Sequence, residues 1–176
     1  MVPVSKLSVF ERAFVATIPK LLIGKSVSSI FGLHAAPYTG GYCASKFAVE
    51  GWMEALAGEL RPYGIASYLV EPGGYPTSFG GSLEWPKVAN DSVYKKDTEL
   101  YRKLRERISA RNEGKDPAAV SRLIHRLVTQ RPSGLRHAVG SDALALIAMA
   151  ALLPKNLFSR MMSLVFHRML RAGSPA

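Results

Sequence analysis

The ten residues IASYLVEPGG, from Ile65 to Gly74, constrain this chain more than any other stretch. The apolar part is too short for a buried helix. Gly64 bounds it on one side and Pro72-Gly73-Gly74 on the other, and its β-branched and aromatic content suits a strand covered on both faces. Helical periodicity precedes it from Tyr42 to Leu60 and resumes from Thr98 to Asn112. It begins again at Asp116, an N-cap followed by Pro117 at the first helical position, and runs to about Thr129. A strand with helices on either side of it in sequence reaches its neighbours by crossovers, which makes the sheet parallel.

The remaining segments extend that alternation. From Val9 to Leu22 the residues Phe10, Phe14, Val15, Ile18 and Leu22 recur at helical spacing, and SVSSI, Ser26 to Ile30, reads as a short strand. LRHAVG, Leu135 to Gly140, reads as another strand. It leads into SDALALIAMAALL, a helix capped by Ser141 or Asp142, and Pro154 separates this from a last helix ending near Leu170. Tyr75 to Val93 has no period and is expected to be a loop. The expected organisation is one α/β domain over residues 1–154 and an amphipathic helix with tail over 155–176.

Composition narrows the function. With 176 residues, 48% of them hydrophobic, the chain can build one real core. A single cysteine, Cys43, rules out an internal disulfide framework and fits a reducing compartment, so the expected location is cytoplasmic. The net charge of +10 suits an anionic partner. Ten of the 23 Lys and Arg lie between Arg102 and Arg136, but Glu106, Glu113 and Asp116 interrupt them as on a solvated helix face, and no nucleic-acid motif accompanies them. No apolar run reaches the ~20 residues that span a bilayer. His125, His137 and His167 lack metal-ligand spacing, so no metal site is expected. His34 reads as loop surface, and Trp85 as either a loop anchor or a cap over an apolar substrate.

In the helix from Tyr42 to Leu60, Tyr42, Lys46, Val49, Met53 and Leu60 share one side of the wheel and Ala44, Ala48, Gly51, Ala55 and Gly58 the other. The first side is expected to pack on the sheet. The second is a small-residue stripe over residues 44–58 that admits a second copy of the chain. A tyrosine and a lysine four residues apart mean little alone. Here Ser29 stands thirteen residues before Tyr42 in a strand-like segment, and Pro72-Gly73-Gly74-Tyr75-Pro76-Thr77 follows the next strand.

This ordered set, SVSSIFG with Ser29, YCASKFAVEG with Tyr42 and Lys46, and VEPGGYPT with Thr77, resembles the short-chain dehydrogenase/reductase family over roughly residues 9 to 155. The resemblance implies a partial Rossmann-like, doubly wound fold in which a small parallel sheet stands for strands 5, 6 and 7 of the family's order 3-2-1-4-5-6-7. It also implies NAD(P)-dependent hydride transfer to a carbonyl, or from an alcohol, of a small molecule, with NAD or NADP as cofactor. Tyr42 would be the general acid or base, Lys46 would favour the phenolate and bond the nicotinamide ribose, and Ser29 would hold the substrate oxygen. Pro72, Gly73, Gly74 and Thr77 would line the nicotinamide end, with Tyr42 and Lys46 on its other side.

The sequence contains no GxxxGxG or GxGxxG motif to hold a pyrophosphate. The resemblance is therefore to the C-terminal half of such an enzyme, and two other readings stay open. One is a non-catalytic fragment that pairs with an intact homologue through the small-residue stripe. The other is membrane association through the C-terminal helix, where Lys155, Arg160, Arg168 and Arg171 interleave with apolar residues; a core- or dimer-facing helix is the favoured reading there.

Overall fold

The computed structural model describes residues 23–77, 85 and 87–172, with Ile23 and Gly24 by their backbone alone. The helix expected from Val9 to Leu22 lies outside the described residues. Strands β1 (Ile23–Val27), β2 (Ala66–Pro72) and β3 (Arg136–Val139) form one parallel sheet in that order. Val27 pairs with Val70 and Pro72 with Val139, so the three carboxyl ends lie along one edge of the sheet. Around it are α1 (Gly40–Leu60), α2 (Lys95–Asn112), α3 (Ala118–Gln130), α4 (Ser141–Leu152) and α5 (Lys155–Arg171). This is the parallel α/β arrangement that the alternation implies, a small three-stranded sheet flanked by helices.

β2 is the centre of the core because alternate residues of a strand point to opposite faces. Tyr68 and Val70 pack with Leu123 and Leu127 of α3. Leu69, between them, packs with Met53, Leu56 and Leu60 of α1 on the other face. Leu69 and Leu127 are fully buried, and each such side chain contributes on the order of 2 kcal/mol. The Tyr68 hydroxyl keeps its bond by donating to Pro132 O at 3.1 Å.

Two successive crossovers thus step the same way across the sheet while their helices α1 and α3 cover opposite faces. Such crossovers must have opposite hands. Parallel connections are right-handed in nearly all cases, so one of the two is the exception.

β1 lies three residues nearer the N-terminus than SVSSI suggests, which moves Ser29 off the strand. The ladder gains one more bond, Ser28 N–H to Val70 O at 2.8 Å. Ser29 Oγ then accepts the Phe31 N–H at 3.2 Å and caps the short 3-10 turn Ile30–Gly32. A serine side chain that bonds the local backbone competes with strand continuation. Among the described residues β1 pairs with β2 alone, and Val27 is 47% exposed.

At the far end α4 opens on Gly140, at φ 111°, rather than on Ser141 or Asp142; the Asp142 carboxylate is engaged elsewhere. α5 is bound to the body of the fold. Phe158 packs with Ile30, Ala143 and Leu146, and Leu170 packs with Tyr101 and Leu104 of α2. Arg107 Nη2 of α2 also donates to Met169 O at 2.9 Å. The inner face of α5 is therefore a core face, while Leu157 and Leu164 remain exposed on its outer side. None of the described helices is long and apolar enough to cross a membrane.

Candidate active site

A parallel sheet collects the ends of its strands at one edge, where loops converge and ligands bind in open α/β folds. Ser29 follows the end of β1, and Tyr42 and Lys46 stand in the first two turns of α1. Lys46 Nζ donates to Val27 O, the last carbonyl of β1, at 3.2 Å, and lies 5.7 Å from the centre of the Tyr42 ring, within cation–π range. The Phe31 ring meets the Tyr42 ring edge-on at 6.3 Å. Ser29, whose hydroxyl accepts the Phe31 N–H, thus joins the group through Phe31. A hydroxyl that accepts one hydrogen bond keeps its proton to donate, and Ser29 is itself buried.

Local chemistry fixes the start of α1 just ahead of Tyr42. Thr39 Oγ1 donates to Ala36 O at 2.8 Å, and Cys43 N–H bonds Thr39 O at 2.8 Å to begin the helix. Cys43 is buried, with its sulfur 3.2 Å from Thr39 Oγ1. The buried face of α1 runs along Cys43, Glu50, Met53, Leu56 and Leu60, so Tyr42 and Lys46 sit half-buried at its margin rather than at its centre. Ala44, Ala48, Gly51, Ala55 and Gly58 are all exposed, and a Cβ added at Gly51 or Gly58 would meet nothing.

Pro72 ends β2, and Gly73 and Gly74 form a half-buried turn beside it; Thr77 is exposed beyond it. Gly73 N–H bonds Val139 O at 3.0 Å, carrying the β2–β3 ladder past the strand end. Gly74 N–H donates to Asp142 Oδ2 at 2.7 Å, and Lys115 Nζ donates to Gly74 O at 3.0 Å. Both glycines leave room for a polar side-chain end that a Cβ would displace. A Cβ on Gly73 would stand 2.6 Å from the Asp142 carboxyl carbon, and one on Gly74 would collide with the Asn112 amide.

Beneath the edge lies a cluster that sequence reading misses. Glu50 of α1 and Glu71 of β2 are 4% and 2% exposed, and both face Arg136 of β3. Arg136 Nε is 2.9 Å from Glu50 Oε2 and 3.6 Å from Glu71 Oε1, and Nη2 is 2.6 Å from Glu54 Oε2. Glu71 Oε1 has no hydrogen bond among the described residues. Burial first, and then the Glu50 charge, push the Glu71 carboxyl up to about 7 against the pull of Arg136. One signal was readable: an acid inside the apolar run SYLVEP must find a buried partner. Nothing local names a partner 65 positions away.

Two other side chains also find their places. His34 packs against Phe158 with ring centres 4.6 Å apart, and burial followed by the Lys155 charge lowers its proton affinity. Trp85 packs on Tyr101 at 5.9 Å with the Arg102 guanidinium over it, the arrangement of a loop anchor. The described residues contain no cluster of His, Cys, Asp and Glu able to hold a metal ion.

Residues 26–86 match the family model for short chain dehydrogenases. The chain is 37% identical over 134 residues to the uncharacterized oxidoreductase YusZ of Bacillus subtilis, covering 73% of this chain and 47% of that protein. It is 34% identical over 133 residues to a 3-ketodihydrosphingosine reductase of Bacteroides thetaiotaomicron, with coverage of 75% and 49%. Retinol dehydrogenase 8 of Bos taurus is 33% identical over 138 residues, with coverage of 74% and 43%. The chain thus spans about half the length of the curated relatives it matches. A crystal structure of a short-chain dehydrogenase from Streptomyces avermitilis superimposes with a TM-score of 0.60 at 22% identity, over 95% of this chain and 60% of that one, and so shares the fold. Relatives in sequence and a parallel sheet with the Tyr42–Lys46 helix at its carboxyl edge point to one lineage, and the chain belongs to the short-chain dehydrogenase/reductase family of oxidoreductases.

Proposed function

We propose that this chain carries the substrate-reacting half of an NAD(P)-dependent carbonyl reductase or alcohol dehydrogenase. The observation that carries the reading is the Lys46 ammonium, tied to the last carbonyl of β1 and lying beside the half-buried ring of Tyr42. A hydroxyl that exchanges a proton with a substrate oxygen needs a fixed position and a neighbour to hold the rest of the reacting assembly, and a lysine anchored beside Tyr42 is suited to that task. In reduction Tyr42 gives its proton to the substrate carbonyl oxygen, and in oxidation it takes the alcohol proton. Ser29 donates its free hydroxyl proton to the same oxygen and stabilises the charge that develops there.

The residues present fit the nicotinamide end of the cofactor. Tyr42 and Lys46 would flank it on one side, and Pro72, Gly73, Gly74 and the exposed hydroxyl of Thr77 on the other. The sequence holds no glycine-rich phosphate motif, so the fit stops at that end. NAD or NADP, when bound, supplies or accepts the hydride. The substrate class is a small-molecule carbonyl or alcohol, and the lipid-like names of two relatives, a 3-ketodihydrosphingosine reductase and a retinol dehydrogenase, support an apolar one.

Fluorescence titration of the whole chain with NADH and NADPH tests this reading, followed by turnover of a long-chain ketone or aldehyde. Tyr42→Phe should lower turnover by about a hundredfold or more while leaving nucleotide affinity in place. Absence of binding to either nucleotide would remove the reading.

Pairing with a second copy or an intact homologue through α1 is favoured by its exposed stripe, beside which Phe47 is 43% exposed. Size-exclusion chromatography of the chain, alone and with a full-length relative, decides it: a monomer in both cases refutes it. The outer face of α5, with Leu157 and Leu164 among Arg160, Arg168 and Arg171 and no acid in the helix, supports a contact with an anionic membrane surface. Flotation with anionic vesicles should carry the chain upward; a chain left at the bottom ends that idea.

A further inference from the structure

The Gly74 backbone is held by two oppositely charged side chains that reach it from distant segments. Asp142, in the first turn of α4, accepts its N–H at 2.7 Å; Lys115, in the connection between α2 and α3, donates to its C=O at 3.0 Å. The same two side chains form an ion pair at 3.0 Å, so the carboxylate, the ammonium and the backbone of one residue close a ring. Burial opposes ionisation of Asp142, but the Gly74 N–H and the Lys115 ammonium outweigh it and hold the carboxyl below its usual range.

The surroundings are shaped to this ring. Gly140 takes φ 111°, and a Cβ there would lie 2.7 Å from Asp142 Oδ1. Gly73 leaves room for the same carboxylate, and Gly74 leaves room for Asn112. The Lys115 ammonium also stands 5.7 Å from the centre of the Tyr75 ring, the residue that continues the turn. Three glycines without side chains, an acid and a base converge on one short piece of backbone. Helix capping alone would explain Asp142 but not Lys115, and a surface ion pair would explain neither bond to Gly74.

We propose that Asp142 and Lys115 are positioning residues that clamp Gly74 by its N–H and its C=O and so set the shape of the Pro72-Gly73-Gly74 turn to receive the nicotinamide end of the cofactor. The functional half of this proposal rests on the hydride-transfer reading above. The clamp fixes the two peptide planes flanking Gly74, one through each bond, so neither can rotate without breaking a charge-assisted hydrogen bond. A glycine pair left unclamped samples many conformations, and ordering it on binding would weaken the complex.

The test uses the whole chain and two readouts, amide hydrogen exchange by NMR and NADH fluorescence titration. In Asp142→Ala the Gly74 amide should exchange about tenfold faster or more, the loss expected for one charge-assisted bond. The Leu69 amide, bonded to Leu135 O inside the sheet, should stay unchanged as the internal control. Asp142→Asn, which keeps an oxygen to accept the N–H, should restore most of the protection. Lys115→Met should loosen the turn with α4 untouched, and it carries the test together with Asp142→Asn should the alanine variant fail to fold. NADH affinity should fall by about tenfold in Asp142→Ala and recover in the asparagine variant, a rescue that simple loss of stability would not give. Unchanged Gly74 protection in the variants overturns the clamp whatever the nucleotide result. Lost protection with undiminished NADH affinity overturns its role in positioning. Failure of the unsubstituted chain to bind NADH instead sinks the hydride-transfer reading, and with it the functional half, while amide exchange still judges the clamp.

Discussion

Glu71 and Asp142 each lie close to the end of a strand, each faces a cation from a distant segment, and the fold treats them in opposite ways. Glu71 is sealed beneath α1 with a second buried acid, Glu50, beside it and one guanidinium for both. Asp142 stands at the rim, where a backbone N–H and a lysine both favour its charged form. Burial without enough donors raises one carboxyl to about 7, and sufficient donors lower the other. An opposite charge nearby does not by itself decide which way an acid moves: burial and the neighbouring acid win at Glu71, and the hydrogen bonds and charge of the donors win at Asp142.

The largest expected effect tests the crowded side. Arg136→Met leaves Glu50 and Glu71 without their common cation, and urea unfolding at pH 8 should show a loss of about 3–5 kcal/mol, the cost of uncompensated buried charge. The loss should shrink at pH 5, where Glu71 is protonated. A loss the same at both pH values would mean that the two acids do not share Arg136.

Next comes Glu71→Gln, which should raise stability. A carboxyl that binds its proton more tightly when folded contributes stability that is complete below its ordinary value of 4.5 and is lost as the pH rises through about 7. The amide removes that loss. At pH 8 the gain should be on the order of 3 kcal/mol, and near pH 4.5 it should vanish. A variant less stable than the parent at pH 8 would contradict the account.

The rim acid predicts the reverse window. Asp142 contributes stability above its ordinary value of 3.8 that is lost as the pH falls through its lowered native value. Thermal unfolding of Asp142→Ala at pH 7 should show a loss of about 1–2 kcal/mol, moderated by partial exposure, and the difference from the parent should narrow in acid. The smallest effect belongs to Arg102→Ala. Its pair with Glu106, at 3.8 Å, is exposed on both sides, and unfolding should stay within about 0.5 kcal/mol of the parent.

What could be read from the sequence follows from how local its cause is. β2 was legible because a short apolar run between turn residues has few other fates: the expected run from Ile65 to about Glu71 and the observed strand Ala66–Pro72 differ by one residue at each end. That Ser29 and the Pro72-Gly73-Gly74 turn follow strands, and that Tyr42 and Lys46 lie near the start of the helix between them, was legible because each placement depends on the order of elements along the chain. The end of β1 was misread because Ser29 Oγ takes the Phe31 N–H, a competition that composition does not reveal. Glu50, Glu71 and Arg136 escaped notice because their reason is tertiary: Arg136 meets Glu50 across 86 positions. Asp142 looked like a helix cap because an aspartate before a helix satisfies that local rule, and the bond to Gly74 spans 68 positions.

Cys43 gives the helix that carries Tyr42 and Lys46 a natural reporter. It is the single thiol in the chain, sealed in the first turn of α1 immediately after Tyr42 and resting against Thr39. A sulfhydryl reagent such as a maleimide can reach it only when that turn opens, so the rate of alkylation measures how often the turn frays, with no engineered label. The fraying of the segment that carries Tyr42 can thus be timed in the unaltered polypeptide, with no substrate present.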